Sequence, residues 1–229
     1  MLPAIVLPTV KIGLAPAKTP EQLSTIMQVL LLLTVLSVAP ALLLMLTSFT
    51  RLVVVFSILR HALGTQQTPP NQVLISLALF LTFFIMMPTF KKVYQNALNP
   101  YFNGEISEKE MFKRVEEPFK EFMLKNTREK DLALFIKLRG EPRPKTPEDV
   151  SFFTLIPAFM ISELKTAFQI GFLLYVPFLI IDVVVSSVLI SLGVLMLPPM
   201  MISLPIKLLL FVLVDGWNLL VMSLVKSFH

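Results

Sequence analysis

After Val150 the chain carries only six charged side chains, Glu163, Lys165, Asp182, Lys207, Asp215 and Lys226, scattered through residues that are otherwise almost all apolar. A charge left unpaired in such surroundings costs on the order of several kcal/mol. Each of the six is therefore a constraint on how the chain folds. The stretch from Pro177 to Trp217 reads as two apolar helices folded back on each other at Pro198-Pro199, because proline lacks the amide proton that an interior helical turn needs. The tip of that hairpin, Leu195 to Leu197, lies 13 residues beyond Asp182 and 10 short of Lys207. Within one antiparallel hairpin, or between neighbouring copies of it, the two would lie at similar depth and neutralise each other. Such a pair is either a plain structural ion pair or a device that fixes the register of subunits around a path through a membrane.

Composition agrees with lipid as the solvent. Apolar residues make up 55 % of the 229, and mean hydropathy is +0.77. The expected class is an all-α, multi-span membrane protein with about four long apolar helical segments, two of them as helical hairpins, and a small helical soluble insertion, the whole oligomeric. The formal charge of +5 is spread along the chain without interleaved aromatics, which fits loops near a membrane and not a nucleic-acid surface. There is no cysteine, and the two histidines, His61 and His229, do not make a metal site.

Residues 1–21 form an N-terminal segment with no basic residue ahead of its short apolar run, and Lys11 and Lys18 only after it, so it reads as retained and not as a cleaved signal. Residues 22–90 form the first helical membrane region. No charge falls between Gln22 and Thr50, enough to cross a core of about 30 Å. Pro40 predicts a kink or break there, with Thr34 and Ser37 placed to satisfy freed carbonyls. A connection over 51–72 holds a short apolar helix bracketed by Arg51 and Arg60. A second span runs from Leu74 to Phe90, ended by Pro88 and Lys91-Lys92. Arginines without acids make that connection cytoplasmic by the positive-inside rule, and the next segment extracytoplasmic.

Residues 91–150 hold 13 of the 20 basic and 11 of the 15 acidic residues, so they belong in water. Ser107 to Glu110 predicts a capping box, Pro118 the start of a second helix, Gly140 a helix end, and Thr146 with Asp149 the next N-cap. Residues 151–229 form the second helical membrane region with the Pro-Pro hairpin. Glu163 and Lys165, two apart on a helix, point to different sides, so each needs another partner, with another chain as one source. Ser187, Ser191 and Gly193 make a small-residue face.

Catalytic chemistry has no foothold. No phosphate-cradling glycine loop occurs, and Asp182 and Asp215 are not placed as a shared-proton carboxylate pair. No enzyme and no cofactor are expected.

Three stretches match a known pattern in order: Thr65-Gln-Gln-Thr-Pro-Pro-Asn-Gln-Val-Leu-Ile-Ser-Leu-Ala-Leu-Phe, Pro157-Ala-Phe-Met-Ile-Ser-Glu163-Leu-Lys165-Thr-Ala-Phe-Gln-Ile-Gly171-Phe, and the hairpin through Val214-Asp-Gly-Trp217. Over most of Leu42 to Trp217 the chain resembles the FliP family of flagellar export-gate proteins, whose relatives are the SctR proteins of virulence type III secretion. The Pro198-Pro199 turn followed by Met-Met-Ile-Ser-Leu-Pro resembles the flagellar branch more closely. The resemblance implies a homo-pentamer joined by FliQ and FliR, and by other export-gate and basal-body proteins. It implies a gate in the bacterial inner membrane at the flagellar basal body, passing unfolded flagellar proteins with proton motive force and a separate ATPase. It further implies helices lifted partly out of the bilayer plane on assembly, in contact with membrane lipids. The family's methionine-rich pore gate maps onto Val194, Leu195, Met196 and Leu197, where only Met196 keeps the methionine, and its inter-helix or inter-subunit charge contacts map onto Glu163, Lys165, Asp182 and Lys207. Against this stand a small-solute transporter, which predicts an internal repeat that the chain does not show, and a scaffold that conducts nothing.

Overall fold

A computed structural model of the chain describes residues 20–65, 67–140, 144, 146–194 and 196–228. The reading of residues 1–19 as a retained segment, and the gate position Leu195, lie outside them. The chain divides into two compact units, residues 1–41 and 42–229. All regular structure among the described residues is helical.

Helix α1 spans Pro20–Leu46 and passes through Pro40 without a break. The hydroxyls of Thr34 and Ser37 donate to the carbonyls of Leu30 and Thr34, each at 2.8 Å, so both turn back onto their own helix. Helix α2, Phe49–Ala62, is not a connection at the surface. Phe49, Leu52, Val55, Phe56, Leu59 and Ala62 recur at helical spacing, and all are buried in the main core with residues of α3, α7, α8 and α9.

Helix α3, Asn71–Val93, continues through Pro88 into a π-helical turn, Tyr94–Leu98, and the short α4, Asn99–Phe102. The expected end at Pro88 and the lysine pair is therefore overruled, and the helical run covers 32 residues. Pro100 has no amide proton to give the Asn96 carbonyl. That carbonyl instead accepts from Arg114 Nη1 at 3.4 Å, which ties the π turn to a charged side chain farther along the insertion.

Helix α5 spans Glu108–Asn126. Half of the expected capping box forms, the Glu110 amide donating to Ser107 Oγ at 3.3 Å, while the Glu110 carboxylate pairs with Arg114 and not with the Ser107 amide. Pro118 does not start a new helix: it is buried inside α5, with Met123 buried on the same helix against Val150, Leu155 and Phe159. Packing on both flanks holds the helix across the proline. Helix α6, Glu129–Arg139, ends at Gly140 with φ 69°. The Thr146 amide donates to Asp149 at 3.1 Å around a 3-10 turn, Pro147–Asp149, so this cap serves a short turn and not the long helix that follows.

Helix α7, Phe152–Ser191, has 40 residues and contains Pro157 and Pro177. At 1.5 Å per residue it is about 60 Å long, twice a hydrocarbon core. Its first half is flanked by the charged helix α6: Arg139 donates to Thr154 Oγ1 at 2.7 Å, and Arg128, just before α6, to Thr166 Oγ1 at 3.0 Å and Gln169 Oε1 at 2.5 Å. Only the half beyond Gln169 is free of these polar neighbours, and its length of roughly 30 Å matches a bilayer.

Helices α8, Pro199–Leu213, and α9, Gly216–Lys226, meet at a 65° bend. Asp215 adopts left-handed geometry there, φ 50°. A Cβ at Gly216 would overlap the Phe211 ring, which also stands edge-on to Trp217 at 5.5 Å. Two helices, within residues 71–102 and 152–191, are long and apolar enough to cross a membrane, or three if the bent pair is one span. Both counts are of the described residues, which also include the apolar stretch Val29–Leu42 of α1.

Candidate functional site: charge pairs and the hairpin tip

The hairpin of α7 and α8 closes through a Schellman turn. Gly193, φ 73°, donates its amide to the Ile190 carbonyl and the Val194 amide donates to the Leu189 carbonyl, both at 3.0 Å. Pro199 occupies the first turn of α8, where its missing amide proton costs nothing, and Pro198 sits extended just before it. Between them the tip leaves Met196 97 % exposed and Leu197 49 % exposed, with Val194 half-buried. The loop offers apolar side chains to whatever lies beyond the subunit.

Down the hairpin from this tip, Lys207 Nζ meets Asp182 Oδ2 at 2.6 Å. The environments differ. Lys207 is buried, 3 % exposed, while the Asp182 side chain is 32 % exposed. Lys207 also donates to the Ala62 carbonyl at 3.0 Å, so the end of α2 is joined to the pair. The structure thus brings Asp182 and Lys207 together within one chain.

Glu163 and Lys165 point to different sides of α7, and both find partners inside the chain, so the other chain considered as their source is not needed. Glu163 is fully buried and takes a bidentate contact from Arg51: Nε donates to Oε2 at 3.0 Å and Nη2 to Oε1. The remaining donors of Arg51 reach Ser227, at 2.8 Å to its carbonyl and 2.9 Å to its hydroxyl, and Asn126 at 3.4 Å. Its guanidinium lies 3.6 Å from the centroid of the Phe228 ring, which stacks on Phe122 at 6.1 Å. Arg51 is therefore a structural charge and drops out of the orientation count, leaving Arg60 as the only charge behind the cytoplasmic reading of 51–72.

Lys165 pairs with Asp131 of α6, whose other oxygen accepts from Ser162 Oγ at 2.8 Å. Ser162 Oγ in turn accepts from the Arg128 amide at 3.0 Å. The Lys165 contact holds the Asp131 carboxyl below the ordinary aspartate range; burial opposes this, and Ser162 and Arg128 support it.

Sequence reasoning missed Arg51 and Asp131. An arginine heading an apolar helix, matched by an acid in another apolar helix, was a usable signal for the first. Asp131, one acid of eleven in residues 91–150, had none. Among the described residues no three His, Asp or Glu side chains gather as metal ligands.

The model of the FliP family matches residues 32–224. A flagellar biosynthetic protein FliP of Bacillus subtilis strain 168 is 57 % identical over 217 residues, covering 95 % of this chain and 98 % of that protein. One of Aquifex aeolicus is 57 % identical over 204 residues, 88 % of this chain and 85 % of its own. One of Pectobacterium carotovorum is 57 % identical over 202 residues, 88 % and 78 %. The family model covers α2 to α8 without interruption, and the chain belongs to the FliP family.

Proposed function

We propose that this chain is the channel-forming subunit of a flagellar protein-export gate in the bacterial inner membrane. Several copies, five by family resemblance, join FliQ and FliR around a path for unfolded flagellar proteins. The observation that carries the reading is the hairpin: an apolar loop with Met196 97 % exposed, at the end of two helices joined by the Lys207–Asp182 ion pair. A side chain so exposed adds nothing to its own subunit's packing. Repeated around a ring axis, such loops meet as a flexible apolar constriction, and methionine suits irregular cargo because it has three rotatable bonds and a polarisable sulfur.

The chain's own residues supply no bond-making step. Their work is to hold shape against lipid and water: Arg51–Glu163 where α2 and the insertion meet α7, Lys165–Asp131 where α6 lies on α7, and Lys207–Asp182 in the hairpin. The test is expression in a flagellated bacterium lacking its own homologue. Restored export of hook and filament proteins, with a photo-crosslinker at position 196 capturing a stalled substrate, supports the reading. Restored assembly without any crosslink to substrate leaves a scaffold and removes the channel role.

A further inference from the structure

Helix α2 is held at three levels. Arg51 binds Glu163 of α7 at one end. In the middle, the Ile58 side chain fills the notch left by Gly171. At the far end the Ala62 carbonyl accepts from Lys207 of the hairpin. Eleven residues separate Arg51 from Ala62, about 16 Å of rigid helix. A slip at one end therefore displaces the other.

The Arg51 end is closed by the turn after α9, whose Phe228 also belongs to the main core. Ser227 provides both acceptors of Arg51 Nη1, and Phe228, buried against Phe122, covers the guanidinium face. Glu163 alone does not satisfy Arg51. Without the Ser227–Phe228 turn, Nη1 is a buried donor with no acceptor and the cation loses its aromatic cover.

We infer that Ser227 and Phe228 form a latch on Arg51 that sets the register of α2 along α7 and, through α2, presents the Ala62 carbonyl to Lys207 in the hairpin. The turn after α9 is thus a positioning element for the Asp182–Lys207 pair, although it touches neither residue. Lys207 is 3 % exposed and shares its protons between Asp182 and Ala62. Withdrawing the carbonyl forces the ammonium to seek another acceptor and changes how the hairpin is braced.

The chain contains no cysteine, so it adds no background of its own to spin labels placed in it. One pair, at His61→Cys and Ser191→Cys, joins the end of α2 to the end of α7. A control pair, at Phe112→Cys and Leu138→Cys, lies in the insertion, and all four positions are exposed. The full chain, co-expressed with its membrane partners and purified, carries Phe228→Leu, which keeps apolar bulk and removes the ring, or Phe228→Trp, which keeps the cover. Arg51→Lys is the second route, keeping the charge and losing the fork. The expected result is a new population in the 61–191 distance, displaced by about 5 Å or one helical turn, for Phe228→Leu and Arg51→Lys. Phe228→Trp restores the parent distribution, and the 112–138 distance stays constant throughout. An unchanged 61–191 distance overturns the latch. So does a shift of both pairs together, because that is general loosening and not register.

Discussion

Ile58 and Gly171 meet where α2 lies on α7, and the space that a Cβ on Gly171 would need is already taken by Ile58, whose own Cβ is 3.1 Å from that position. Because this crowding reaches the Ile58 backbone stem and not just its flexible end, a side chain cannot be absorbed by a rotamer change. Gly171→Ala is expected to destabilise the subunit by about 1–3 kcal/mol, the usual range for overpacking. Combining it with Ile58→Ala should recover part of that loss, since the two residues share one space. Thermal unfolding in detergent of the two single variants and the double variant measures the coupling. Strict additivity would show that the two helices do not touch here.

Arg51 and Glu163 carry opposite charges where neither side chain is more than 3 % exposed. Removing one leaves the other buried and uncompensated, so Arg51→Ala or Glu163→Ala is expected to cost about 3–5 kcal/mol. Replacing both with apolar residues of similar volume, Arg51→Met with Glu163→Leu, should recover much of this, because neither charge then remains to be solvated. The measurement is the yield and melting temperature of the four proteins. A double variant worse than either single one would mean that the pair does more than neutralise itself.

The hairpin pair is asymmetric, and the asymmetry predicts a ranking. Lys207 is buried while Asp182 is partly open to its surroundings. Asp182→Ala strands an ammonium in an apolar setting with only the Ala62 carbonyl, and is expected to cost about 3–5 kcal/mol. Lys207→Ala leaves a carboxylate with access to water or headgroups, at a cost of about 1–3 kcal/mol. Export by strains carrying each variant should fall in the same order. The reverse order would place the sensitive charge on the aspartate.

Asp131 makes the docking of the insertion on α7 sensitive to acid. Its carboxyl is held below the ordinary value of 3.8 in the folded chain, chiefly by Lys165. A depressed folded pKa contributes stability that is fully present above the unfolded pKa and disappears as pH falls through the folded one. The window therefore lies below about pH 4, and nothing from this group changes between pH 5 and 8. The effect is modest, because the Lys165 side chain is 52 % exposed and screened. Hydrogen exchange of α6 amides should accelerate as pH is lowered from 4 towards 2, after correction for intrinsic rates, and Asp131→Asn should flatten that dependence. An unaltered profile in Asp131→Asn would assign the acid response to another group.

The parts of this fold legible in the sequence are those where a rare feature stood out against an apolar background. Asp182 and Lys207 could be paired because they flank one hairpin tip, and Glu163 and Lys165 could be separated by helical geometry alone. Proline was the less dependable sign. Pro88 and Pro118 were read as an end and a start, yet both lie inside helices, as does Pro40, read as a kink or a break. A proline removes one hydrogen bond at a cost of about 3 kcal/mol, which packing of Pro118 and Met123, or of Ile85 and Thr89 around Pro88, offsets. Arg51 was misassigned because an arginine at the head of an apolar run looks the same whether it flanks lipid or seeks a buried acid. Ser227 and Phe228 carried no signal, since their role arises only from a contact across 176 residues of chain.

Met196 separates stability from function. At 97 % exposure it makes almost no contact within the subunit, so Met196→Ala should leave the subunit's stability within about 0.5 kcal/mol of the parent. A constriction built from symmetry-related tips would respond differently. Shortening the side chain widens it, so proteoliposomes or cells carrying the assembled Met196→Ala gate should leak small ions at rest. Met196→Leu, which preserves apolar volume, should not. A charged replacement, Met196→Asp, should wet the constriction without unfolding the subunit, because the side chain stays outside the core. If Met196→Ala and Met196→Asp both seal as well as the parent while export continues, the tip does not face the path and the closing surface lies elsewhere on the hairpin.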